Sequence, residues 1–324
     1  MLSHPRFLSR LRGVALCGIL WVAGGALADA NADCPPTAQA LGPERIQAGM
    51  RDARDRGFLW RIEKDGRSSY LFGTVHVARL DWMFPGPRVA QALRASDTIA
   101  LELDLLDPDV QRRMAEVVAA TARHDLPEPL KLRLARLVQA ECLSPETFGG
   151  LDPEMQIATL SALAARRDGL DPAYGIDLFL AGYGHSAGKT IVSLETPELQ
   201  INAMRMPSVQ AMIASIESGL TELEAGRTRP TLNRIAGVWA AADHAELARY
   251  DHWCDCRNNA ADRAAMKRML DDRNPALAKA IDALHEGGAQ VFAAVGSLHM
   301  VGPLGLPKLL AQRGYRVERV EFQR

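Results

Sequence analysis

The sequence predicts an α/β protein, a three-layer α/β/α fold with a mixed central sheet and helical insertions. Three observations predict it. Short apolar runs bounded by turn residues stand towards both ends of the chain, at 57–103 and 291–320, with another at 189–195. Long stretches of helical period lie between them. At Leu194-Glu195-Thr196-Pro197 a strand runs straight into a helix start, the turn that sets a side chain at the mouth of an α/β sheet.

The first thirty residues stand apart from that fold. Arg6, Arg10 and Arg12 precede a mostly apolar stretch from Gly13 to Leu27, and Ala28-Asp29-Ala30 supplies a small-residue cleavage site. This is the pattern of a signal peptide over 1–30, and it predicts a periplasmic or secreted chain beginning at Asn31. The apolar run is short for a membrane span. No later stretch approaches that length, so no stable membrane insertion is expected after cleavage. Residues 31–56 read as a polar lead-in, and 57–324 as a single α/β domain.

Composition narrows the function. At 48% apolar the chain has ample material for a core, which excludes intrinsic disorder. The formal charge of −1 becomes −3 without residues 1–30, which is no footprint for nucleic acid and no polybasic signal for anionic lipid. Four cysteines remain in the mature chain: Cys34, Cys142, Cys254 and Cys256. In an exported protein an even count predicts disulfides, with three connectivities open. Because Cys254 and Cys256 would close a very small ring, each is expected to reach a distant partner.

The elements follow in order. Gly57 to Ile62 and Tyr70 to Thr74 form a hairpin about Asp65-Gly66. The second arm ends in Gly73-Thr74-Val75-His76. A loop with Trp82, Phe84, Pro85 and Pro87 leads to a short helix, Arg88 to Ala95. Asp97 to Leu103 is a third strand, with Glu102 near its end; an unpaired carboxylate in such a run is costly to bury. Helical segments follow to Gly182, with Asp152-Pro153 and Asp171-Pro172 as cap-plus-proline starts. Tyr174-Gly175-Ile176-Asp177 opens another. Lys189 to Glu195 is a fourth strand. The helical block 198–288 breaks near Gly226 to Pro230 and again at Arg273-Asn274-Pro275, where Asn274 is expected to cap the next helix. The apolar run from Val291 is a fifth strand that carries Gly296 and His299 in Gly296-Ser297-Leu298-His299. A helix from Pro307 to Gln312 and a strand from Tyr315 to Val320 close the chain.

His76, Glu102, Asp177, Glu195 and His299 thus fall at strand ends or helix starts on one presumptive edge of the sheet. Two imidazoles with one or two carboxylates suit a divalent metal: Zn, Mn, Fe or Co. Such an ion generates hydroxide near neutral pH. A spare carboxylate would serve as base, and Arg273 would bind an oxyanion or a substrate carboxylate.

The ordered set Phe72-Gly73-Thr74-Val75-His76, Glu102, Gly175-Ile176-Asp177, Leu194-Glu195-Thr196, Arg273-Asn274 and Val295-Gly296-Ser297-Leu298-His299-Met300-Val301-Gly302 resembles the TraB/GumN family, which includes the animal Tiki proteins. The resemblance runs from about 57 to 321. It implies an α/β/α fold related to erythromycin-esterase-like and ChaN-like proteins. For the Tiki branch it implies a metal-dependent protease supported by manganese or cobalt. His76 and His299 carry over as the motif histidines and Glu102 as the motif glutamate, the three together being the expected metal ligands. Asp177, Glu195, Arg273 and Asn274 carry over as the remaining polar signatures, expected to orient ligands, act as base or steady a peptide or small-molecule substrate. Ser297 stands where many relatives have a small residue. Two function classes follow: an exported metal-dependent hydrolase, peptidase-like, with Mn or Co ahead of Zn or Fe; or a non-catalytic periplasmic binding protein for haem, metal or a secreted peptide. The haem version uses His76 as axial ligand, with Trp82, Met83 and Phe84 as a wall.

Overall fold

A computed structural model describes residues 34–120, 124–254, 256 and 260–322. The expected signal peptide lies outside the described residues. Helix α1 (Pro43–Arg51) precedes the hairpin of β1 (Phe58–Lys64) and β2 (Arg67–Thr74), whose turn sets Asp65 and Gly66 at φ 54° and 74°. Those left-handed values are what a two-residue hairpin turn requires, and Asp-Gly supplies them. A 3₁₀ turn (Leu80–Met83), α2 (Pro87–Ala95) and β3 (Thr98–Leu101) follow. The helical insertion comprises α3 (Pro108–Ala119), α4 (Glu128–Ala140), α5 (Pro153–Leu163) and α6 (Ile176–Ala187), ahead of β4 (Thr190–Ser193). Asp152 caps α5 by accepting from Met155 N–H, as its Asp-Pro start predicts.

The long block contains α7 (Pro197–Met204), α8 (Val209–Glu224), α9 (Thr228–Ala240) and α10 (Asn274–Glu286). Then come β5 (Val291–Gly296), a 3₁₀ turn (Ser297–Met300), α11 (Leu306–Gln312) and β6 (Arg316–Arg319). The sheet has six strands in the order β4-β3-β5-β2-β1-β6. Pairing is parallel through β4, β3, β5 and β2, and antiparallel where β1 meets β2 and β6. β1 alone therefore runs against the rest, which makes the sheet mixed, as the sequence predicts.

The chain leaves β3 towards one edge, to β4, and leaves β5 towards the other, to β6. A crevice opens at the carboxyl ends of strands where successive connections diverge in this way. Glu102 follows β3 there, and Gly296 ends β5.

Alternation splits the faces of the central strands. Phe72 packs against Phe292 and the edge of Trp239, whereas Gly73 looks the other way, at Ser297 and Met300. Trp239 Nε1 donates to Gly73 O at 2.7 Å, which satisfies a buried indole N–H. A second apolar cluster, including Leu126, Leu130, Leu160, Met212 and Leu220, lies within the helical insertions, so α4, α5 and α8 bury their stripes on one another.

Two local expectations are corrected. The disulfides are Cys34–Cys142 and Cys254–Cys256, not a pair of long-range links from 254 and 256. The Cα atoms of Cys254 and Cys256 lie 5.1 Å apart, within the ordinary span of a disulfide, so the small ring closes. Asn274 is no cap. It is the first residue of α10, follows a π-helical turn (Lys267–Asp271), and its side chain is used elsewhere. No helix among the described residues is long and apolar enough to cross a membrane.

Candidate functional site

The two Gly-x-x-His stretches interlock. β2 and β5 pair in parallel with Gly73 beside Val295 and Thr74 beside Gly296. A Cβ at Gly73 would lie 2.9 Å from Ser297 Oγ, so the first glycine makes room for the second stretch. Ser297 uses that room to donate to Thr74 O at 2.7 Å. A Cβ at Gly296 would lie 3.2 Å from Glu102 Oε1, 3.6 Å from His299 Cδ2 and 3.7 Å from His76 Nε2. The second glycine thus makes room for the first stretch, and three expected site residues converge over its Cα.

Each imidazole is held from behind. Gly175 lets the start of α6 abut the His76 backbone, because a Cβ there would sit 2.8 Å from His76 O. That places Asp177, in the first turn of α6, with Oδ1 at 3.1 Å from His76 Nδ1. The Asp177 carboxylate lifts His76 to about 9, against the opposing effect of desolvation. The His76 side chain is 63% exposed, so solvent screens the pair.

His299 is buried, and its Nδ1 faces Asn274 Oδ1. Asn274 Nδ2 donates to Leu304 O at 2.8 Å and more loosely to His299 O at 3.4 Å. With the amide nitrogen committed, the oxygen must face the ring. His299 therefore carries its proton on Nδ1 and keeps the Nε2 lone pair. Burial pushes His299 down to about 4, so the ring is neutral at physiological pH.

Glu102 is neutralised by fixed donors. Oε1 accepts from Gly296 N–H at 2.8 Å, and Oε2 accepts from Arg273 Nη2 at 2.6 Å and Gln200 Nε2 at 3.2 Å. Burial works against its charge, but His299, His76, Arg273 and the Gly296 N–H outweigh it and hold Glu102 at about 2. Arg273 also donates through Nε to Glu195 Oε1 at 2.8 Å, through Nη2 to Glu195 Oε2, and through Nη1 to Met269 O at 2.8 Å. Its guanidinium binds two carboxylates of the protein and is only 11% exposed, so it acts as a brace between the ends of β3 and β4.

All seven expected residues therefore gather at the carboxyl ends of β2, β3, β4 and β5. They form two tiers: His76, Glu102 and His299 over Gly296, with Asp177, Asn274, Arg273 and Glu195 behind. Three contributors are given no role by the sequence reading, although Thr74 and Ser297 lie within its two Gly-x-x-His stretches. Gln200, four residues after Thr196 on α7, bridges Glu102 and Glu195 at 3.2 Å to each. Ser297 ties the two stretches together, and Thr74 lies beside Gly296. Among the described residues, no three His, Cys, Asp or Glu side chains are close enough together to enclose a metal ion. The groups over Gly296 are two imidazoles whose Nδ1 atoms are tied back and one ionised carboxylate.

A family model, TraB/PrgY/gumN, matches residues 58–319. The chain belongs to the TraB/PrgY/gumN family. The match runs from the first residue of β1 to the last of β6, so every TraB/PrgY/gumN residue named above lies inside it. The chain is also similar to the uncharacterized protein YbaP of Shigella flexneri, 27% identical over 249 residues, which cover 75% of this chain and 88% of that protein. No solved structure matches it.

Proposed function

We propose that this TraB/PrgY/gumN protein is an exported metal-dependent hydrolase, peptidase-like, with His76 and His299 as metal ligands assisted by Glu102. One observation carries the reading. Both imidazoles have Nδ1 tied to a fixed oxygen, Asp177 Oδ1 or Asn274 Oδ1, while the opposite edges of the rings converge over Gly296. Histidines that ligate metals are held from behind in this way, which fixes the tautomer and raises ligand basicity. The Tiki-like resemblance supports manganese or cobalt and a peptide substrate.

A divalent ion held there would supply Lewis acidity and make hydroxide available near neutral pH. The protein's own groups do the rest. Asn274 presents His299 as a neutral donor. Asp177 orients His76 and takes up its positive charge when the ring is protonated. Arg273, Gln200 and the Gly296 N–H hold Glu102 ionised in one rotamer. Glu195 is almost wholly buried against Arg273 and fixes that brace, so of the two carboxylates expected to orient ligands or act as base, Asp177, half-buried beside His76, is the one we assign as base. Against the haem alternative, Met83 and Phe84 are buried and Trp82 packs on Trp239. Export is supported by the signal-peptide pattern and by two disulfides, which persist in oxidising compartments.

The test is a peptide-library digest with wild-type protein, His76→Ala and His299→Ala, each supplied with Mn²⁺ or Co²⁺. Cleavage by the wild type alone, with circular dichroism unchanged, is the expected result. Cleavage retained by both variants contradicts the mechanism.

A further inference from the structure

We infer that the Thr74 hydroxyl is an oxygen-binding position of this site, hydrogen-bonding the oxygen of a solvent molecule or of a substrate carbonyl seated over Gly296. Thr74 is 1% exposed, and its Oγ1 has no hydrogen-bond partner in the protein. A buried hydroxyl left without a partner is destabilising, so its retention calls for a ligand. Its own carbonyl is already engaged by Ser297 Oγ, and that bond gives Oγ1 nothing.

The register says where the hydroxyl belongs. Thr74 pairs with Gly296 in the parallel ladder, and paired residues project from the same face of a sheet. Neighbouring strands lie about 4.8 Å apart, so Thr74 Cβ sits roughly that far from the place a Gly296 Cβ would take. That place is the point on which His76 Nε2, Glu102 Oε1 and His299 Cδ2 converge. Thr74 thus stands beside the same point, on the neighbouring strand. Its hydroxyl is the neutral donor there that is not committed within the protein, since Gln200 Nε2 is shared by Glu102 and Glu195 and Ser297 Oγ is given to Thr74 O. Arg273 is committed to Glu102, Glu195 and Met269 O, and the Gly296 N–H to Glu102. An oxygen held against the two histidines therefore finds its hydrogen bond at Thr74. The inference deepens the metal-hydrolase reading and rests on it for the identity of the oxygen; the burial and the register stand without it.

Thr74→Val removes only the hydroxyl, and Thr74→Ser keeps it. Because Oγ1 bonds nothing in the protein, Thr74→Val should melt no lower than wild type. A fall of more than about 4 °C would reveal an internal hydrogen bond and overturn the inference. Co²⁺ affinity, read by calorimetry, should be the same in wild type and Thr74→Val, because the hydroxyl is no ligand. Acetohydroxamate, added as an oxygen-donor probe to the Co²⁺-loaded proteins, should bind Thr74→Val about tenfold more weakly, with Thr74→Ser restored to near wild type. Equal binding by Thr74→Val overturns the inference. If wild type binds no Co²⁺, the metal reading fails and crystals of the metal-free proteins decide. An oxygen within hydrogen-bond distance of Thr74 Oγ1 over Gly296, lost in Thr74→Val, sustains the position; a hydroxyl with no oxygen neighbour in wild type overturns it.

Discussion

Asn274 turns its carboxamide oxygen onto Nδ1 of His299 while its amide nitrogen donates to Leu304 O at 2.8 Å. That relationship joins the start of α10 to the turn after β5 and determines which nitrogen of a buried imidazole stays unprotonated. Asn274→Ala frees the ring to rotate and to change tautomer. Metal affinity should fall by about 10–100-fold, the usual effect of losing a partner behind a ligating histidine. Calorimetric titration of Mn²⁺ or Co²⁺ checks this, and an unchanged affinity would mean that His299 is not a ligand.

His76 gives the site a pH dependence. Titrating near 9, the ring is protonated at neutral pH, and a cation must displace that proton. Affinity for Mn²⁺ or Co²⁺ should rise about tenfold per pH unit from 7 towards 9 and then level off. In Asp177→Asn the rise should end at a lower pH. For the metal-free fold the sign is opposite. A raised histidine pKa stabilises fully below about 6.5, its unperturbed value, and that stabilisation is lost as pH rises through 9. Solvent screening keeps this second effect small.

Arg273 is predicted to matter first for the fold. Removing it leaves Glu102 and Glu195 as buried carboxylates facing each other across Gln200. Arg273→Ala should cost about 3–5 kcal/mol in urea unfolding, the scale for stripping one partner from a buried ion pair. Arg273→Lys keeps a charge but loses the planar fork that reaches both acids, so it should recover only part of the loss. Wild-type stability in Arg273→Ala would return Arg273 to a direct role with substrate.

Much of this site is legible in the chain because its parts lie at element ends, where local signals are strong. Gly-x-x-His after an apolar run marks a strand ending in a turn, and Thr196-Pro197 marks a helix start that fixes where Glu195 sits. What the sequence hides is tertiary. Asn274 before a proline carries a local cap signal, yet a π-helical turn leads up to Arg273 and the side chain is drawn to His299, twenty-five residues on. Gln200 looks like any polar residue on α7 until the fold brings Glu102 beside it. The role of each glycine also depends on register, since Gly73 accommodates Ser297 and Gly296 accommodates Glu102 only when β2 and β5 pair as they do. Ring size is no bar for Cys254 and Cys256, whose Cα atoms lie 5.1 Å apart.

The proposed function requires that His76 and His299 hold one metal ion between them. Elemental analysis of protein exported to the periplasm, beside a His76→Ala, His299→Ala double variant, tests it most directly. Near-stoichiometric manganese, cobalt, iron or zinc is expected in the wild type and none in the variant. Metal in neither protein, even after reconstitution with Mn²⁺ or Co²⁺, would contradict it.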